Sequence, residues 1–95
     1  MIVHVVCFKL KDPTPENVEI ARKKLLSLEG NVPQVRHLEV GADELHSPRS
    51  YDLVLITHFD SWEDSEAYQV HPFHKEVGGY LSSNSSSLIA VDYER

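Results

Sequence analysis

The chain has 95 residues, 41% of them hydrophobic, a single cysteine and a net charge of −6. That length supports one core and not two, the lone Cys7 excludes an internal disulfide framework and a thiolate-rich zinc site, and the acidic balance repels nucleic-acid phosphates and anionic lipid surfaces. A domain of this size buries only roughly 60% of the surface its unfolded chain exposes, so a second copy of the chain is the expected supplement to its core.

No run reaches the roughly 18 apolar residues of a membrane span, and Met1-Ile2-Val3-His4 lacks the basic region and small-residue cleavage site of a signal peptide. The expectation is a cytoplasmic protein, with neither membrane nor nucleic acid as a partner.

Residues 2 to 10 are β-branched and aromatic enough to form a strand, stopped by Lys11-Asp12-Pro13. Ile2, His4, Val6, Phe8 and Leu10 fall on one face, and Val3, Val5 and Cys7 on the other. Both faces are apolar, which predicts a central strand covered on both sides, with Cys7 as a core residue. Thr14-Pro15-Glu16 reads as a cap, a first-turn proline and an acid at the positive helix end. The helix it opens should run to about Glu29, bury Val18, Ala21, Leu25 and Leu28, and stop at Gly30-Asn31.

Strands are predicted at about Val35 to Val40, ending at Gly41, and at Tyr51 to Phe59, joined as a hairpin by a polar loop. Ser61-Trp62-Glu63-Asp64 starts a second helix that should run to about Val70. Proline disfavours helix at the residue before it, so His71-Pro72 divides this helix from a third piece, Pro72 to Leu81. Ser82 to Ser87 reads as a polar hinge and Leu88 to Tyr93 as a short closing strand.

The order is βαββαβ, which predicts an α+β, ferredoxin-like domain spanning residues 1–95, a four-stranded antiparallel sheet with helices on one face. The other face, apolar along the first strand, calls for an isologous dimer.

Four segments resemble one known family, the stress-responsive dimeric α/β-barrel (Dabb) domain. They are Val3 to Asp12, Phe59-Asp60-Ser61-Trp62-Glu63, Ala67-Tyr68-Gln69-Val70-His71-Pro72-Phe73-His74, and Val91-Asp92-Tyr93, with Val40-Gly41 adding to the match. The resemblance covers nearly the whole chain, and Tyr-x-x-His-Pro-x-His is its most specific string. It implies a homodimer forming an α/β barrel, with a pocket between sheet and helices for a small apolar or aromatic ligand. One member of that family is a polyketide cyclase that closes a ring by intramolecular aldol condensation. Its tyrosine and histidine pair matches Tyr68 and His74 here, its first-strand pocket histidine matches His4, and His71 belongs to the same string. Two further polar pocket positions of the cyclase fall on Leu53 and about Leu25.

An aldol closure needs a base for an acidic C–H and a donor for the developing enolate oxygen; imidazole titrates near neutrality, and a phenol donates without ionising. His74 and Tyr68 are therefore the candidate catalytic pair, with His4, His71, Leu53 and Leu25 as candidate ligand-binding positions. The alternatives are a core tyrosine, a satisfied core His4, a His71 that only serves the helix junction, and an oligomer with a structural or stress-protective role and no catalysis. His71 and His74 are three apart, and His4 and His58 add two more imidazoles. With no His-Glu-x-x-His string, though, neither a metal nor a cofactor is expected.

Overall fold

A computed structural model describes residues 1–95. The elements are β1 (Ile2–Leu10), α1 (Pro15–Leu26), β2 (His37–Ala42), β3 (Leu53–Phe59), α2 (Trp62–Val70), α3 (Pro72–Asn84) and β4 (Ser85–Glu94). The sheet order is β2-β3-β1-β4, every pairing is antiparallel, and β1 lies inside the sheet as its two apolar faces require.

Local signals fix the helix starts. The Asn17 N–H donates to Thr14 Oγ1 at 3.1 Å, and Pro15 supplies the first turn with the residue that lacks an N–H to satisfy. The Asp64 N–H donates in the same way to Ser61 Oγ at the start of α2. α1 ends at Leu26, short of Glu29, because its last turn tightens: Leu28 N–H reaches Leu25 O and Glu29 N–H reaches Leu26 O. Gly30, at φ +82°, then takes the left-handed conformation that turns the chain away. Leu28 stays buried through this turn.

Other boundaries also depart from the sequence reading, among them β3, which starts at Leu53 and not Tyr51. β2 starts at His37 because Val35 N–H closes a turn onto Val32 O, and it runs through Gly41, whose missing side chain accommodates Val54 3.2 Å from where a Cβ would stand. The serine-rich stretch is no hinge: Ser82 to Asn84 finish α3, and Ser85 onward is strand. Tertiary pairing overrides weak propensity here, since Ser85 to Glu94 line the whole edge of β1 from Leu10 back to Ile2.

The core lies between the inner sheet face, which carries Phe8, Leu55 and Phe59, and the helices, which contribute Ala21, Leu25, Tyr68, Val77 and Leu81. The outer face presents Val5, Cys7 and Ile56 with three residues of β4, Ile89, Val91 and Tyr93. Ile89 is 52% and Val91 62% exposed, in contrast to the inner-face positions of β3, which are all buried.

Candidate functional site

A cavity of about 190 Å³ opens between the inner sheet face and helices α1 and α3. Its walls are apolar, built from Phe8, Leu55, Leu25, Leu28, Val77 and Leu81, and its polar end holds His4, Tyr68 and His74.

The chain reaches this polar end from three elements. His4 lies on β1 between Thr57 of β3 and Asp92 of β4, and its Nδ1 bonds to Asp92 Oδ1. An ionised carboxylate only accepts, so Nδ1 carries the hydrogen and Nε2 is left out of that bond. Tyr68 comes from α2 and His74 from the first turn of α3. Their six-residue separation cannot place them together on one straight helix; the break at His71-Pro72 does, with ring centroids 4.2 Å apart and planes inclined 49°. The His4 and Tyr68 rings meet edge-on at 6.1 Å.

Tyr68 is wholly buried, its ring packs on Phe59 at 4.9 Å, and its hydroxyl has no hydrogen-bond partner within the chain. Burial pushes the phenol far above its ordinary range, so it remains a donor at any physiological pH. His74 Nδ1–H donates to the Gln69 carbonyl at 3.3 Å. A carbonyl oxygen can only accept, so the other nitrogen, Nε2, carries the lone pair in the neutral ring. Burial lowers the His74 pKa; the Gln69 carbonyl opposes that shift in part, and positive charge on His4 or His71 would add to it. The outcome is a neutral imidazole beside a protonated phenol.

Burial also lowers the pKa of His58 on the outer face. Both folded imidazoles take up protons less readily than their unfolded counterparts, whose ordinary value is 6.5. Below that pH the unfolded state binds more protons, so stability should hold above about pH 6.5 and fall as pH drops from there through the depressed folded values. Thermal unfolding at pH 7.5 and 5.5 checks this: the midpoint should drop at pH 5.5, and by less in His74→Gln. Equal midpoints for the wild type would contradict it.

The other candidate positions separate. Leu25 forms part of the cavity wall. His71 caps α3, its Nδ1 accepting the Phe73 N–H at 3.1 Å, and it does not line the cavity. Leu53 is buried on the inner face opposite Phe8, one inward position further from His4 than Leu55, and it is also absent from the lining. Asp92 joins the site unannounced: strand alternation puts it on the inner face with Leu88 and Ala90, and a carboxylate there is the signal that would have singled it out. Of the acids near the start of α2, Asp60 holds Arg36 at 2.8 Å. No group of three or more His, Cys, Asp or Glu side chains is placed to hold a metal ion, and no helix is long and apolar enough to cross a membrane.

Solved structures share this architecture. A dimeric ferredoxin-like protein of unknown function from Bacteroides fragilis is 28% identical with a TM-score of 0.81, over 99% of this chain and 95% of its own. One from Thermobifida fusca, also dimeric and of unknown function, is 26% identical with a TM-score of 0.87, over 99% and 90%. A hydroxynitrile lyase from Passiflora edulis shares the fold at 15% identity, with a TM-score of 0.83 over 97% and 90%. No curated protein matches the sequence. The profile of the stress responsive A/B barrel domain matches residues 2–95, which takes in every element of the sheet and all three residues at the cavity's polar end; the chain belongs to the Dabb family.

Proposed function

We propose that the chain acts as one domain in a cytoplasmic homodimer joined through the outer sheet faces, and that each protomer's cavity binds a small apolar or aromatic molecule bearing a carbonyl or hydroxyl group. One observation carries the reading: a buried phenol without a partner stands at the polar end of an otherwise apolar cavity. Leaving a buried hydroxyl unpaired costs about 1–3 kcal/mol, and a ligand oxygen that accepts from Tyr68 would remove that cost on binding. The volume, about 190 Å³, is below the range of roughly 300–1,000 Å³ that suits drug-sized ligands. One ring with short substituents fits it better than an extended chain.

The test is Tyr68→Phe. Removing an unsatisfied hydroxyl while keeping the ring should leave the unliganded protein as stable as wild type, or up to about 1 kcal/mol more stable. The thermal shift given by a panel of phenolic ketones should largely disappear. A shift of wild-type size in Tyr68→Phe would end the assignment of the hydroxyl to ligand binding, and no shift in the wild type would favour a structural or stress-protective oligomer.

A second reading, an acid/base enzyme of the polyketide cyclase type, draws support from the neutral His74 beside the phenol. His74 Nε2 would take a proton from the carbon next to a carbonyl, Tyr68 would donate a hydrogen bond to the enolate oxygen, and the enolate carbon would attack a second carbonyl of the same molecule to close the ring. The proton held on His74 would then go to the new alkoxide. Exchange of the acidic hydrogens of a small β-diketone in heavy water, fast with wild type and at the buffer rate with His74→Gln, would support catalysis over binding alone; equal rates in both would remove His74 as the base.

A further inference from the structure

Two glycines stand side by side in the middle of α3, Gly78 and Gly79. Glycine is the poorest helix former after proline, and neither position has the positive φ that would favour it; among the glycines only Gly30 does. The helix itself therefore gives no reason for either residue. Gly79 is exposed, lies outside the cavity lining, and a Cβ built on it would meet no atom within 4 Å.

Gly78 differs in what it faces. It lines the cavity and follows His74 by one helical turn, which puts the two on the same side of α3. A Cβ on Gly78 would lie 3.8 Å from His74 Cε1. That is ordinary van der Waals contact, so the folded chain has room for a methyl group, and packing does not demand the glycine either. Cε1 is bonded to Nε2, the nitrogen that carries the lone pair. A side chain at position 78 would thus stand beside the polar end of the cavity.

We propose that Gly78 sets the size of molecule the cavity accepts, the room beside its bare Cα being taken by the ligand. The Tyr68 and His74 rings are 4.2 Å apart, so a carbonyl oxygen held by the phenol leaves the group next to that carbonyl against His74 and Gly78. The ligand class this favours is a phenolic ketone with more bulk beside its carbonyl than a single methyl group. The inference rests on the reading of the cavity as a ligand site, and two probes separate the two failures.

The experiment measures dissociation constants of 4-hydroxyacetophenone and of 4-hydroxybutyrophenone, which has two more methylenes, on the full chain and its variants. Each added methylene buried in wild type tightens binding ~4-fold, so the larger ketone should bind about 16-fold better. Valine adds three carbons and is stiff at χ1 in a helix, so Gly78→Val should reverse that preference. Gly78→Ala should reduce it to ~4-fold, and Gly79→Val should leave it as in wild type. Both Gly78→Ala and Gly79→Ala should raise the unfolding midpoint by about 2–8 °C, so the alanine variant decides the matter should Gly78→Val fail to fold. A wild-type preference in a folded Gly78→Val, or in Gly78→Ala, would overturn the role of Gly78 alone. Binding of neither ketone to wild type would overturn the ligand reading and this inference with it.

Discussion

Val91→Asp is expected to convert the dimer to a monomer at micromolar chain concentration. Val91 faces outward from β4 opposite Val5 and is 62% exposed in the single chain, flanked on its own strand by Ile89 and Tyr93. Packing two such faces together removes water from this patch, and an isologous contact places the introduced carboxylate in both halves. A desolvation cost of about 2–3 kcal/mol on each side sums to roughly 4–6 kcal/mol, which weakens association about 10³- to 10⁴-fold. Sedimentation equilibrium reads the result directly: wild type at twice the 10.8 kDa chain mass, and the variant at the chain mass. A dimeric Val91→Asp would move the contact elsewhere, and a monomeric wild type would remove it. The cavity opens on the other side of the sheet, so the ligand-induced shift should survive in the variant if it still folds.

Phe59→Ala should have the largest effect on stability. Phe59 ends β3 with no exposed surface, directly beneath the ring of Tyr68. Truncating a buried phenylalanine costs about 3–5 kcal/mol from lost transfer energy and the cavity left behind. A domain of this size has only about 5–15 kcal/mol in total, and each kcal/mol moves the midpoint by roughly 4–8 °C. A drop of roughly 12–40 °C is therefore expected, measured at fixed chain concentration because dimerisation adds to apparent stability. A loss below about 1 kcal/mol would mean the site collapses around the missing ring. The contrast with Tyr68→Phe is informative: Phe59 supports the pocket from below by bulk alone, whereas the hydroxyl of Tyr68 contributes nothing to the folded chain that the structure shows.

Much of the fold was legible because its signals are local. Thr14-Pro15 and Ser61 name their own caps, and the alternation from Ile2 to Leu10 marks a strand central enough to need cover on both faces. β4 was less legible because Ser85, Ser86 and Ser87 have no periodicity of their own, and they become strand by pairing with the end of β1. Of the cavity residues, Tyr68, His74 and Leu25 follow from the family resemblance, and His4 alone also stands out by its own strand pattern, as a polar ring in line with Ile2, Val6 and Phe8. Asp92 escaped notice because its importance lies in facing His4 across two strands 88 positions apart in sequence. His71 stood out by composition, yet its nitrogen is engaged with the Phe73 N–H. Leu53 followed from resemblance alone, which transfers a column of an alignment and not the depth at which a side chain meets a cavity.

The alternation along β1 has a consequence for how this chain can change. Its even positions supply the pocket with His4, Val6 and Phe8, and its odd positions give Val5 and Cys7 to the opposite face. A single residue inserted or deleted within this strand would exchange the faces of every position on one side of the change, which can send the imidazole to the outer sheet face and a valine into the cavity. Substitutions at one face can accumulate without disturbing the other, but the number of residues in β1 cannot drift by one. Its parity is a heritable constraint that no individual side chain reveals.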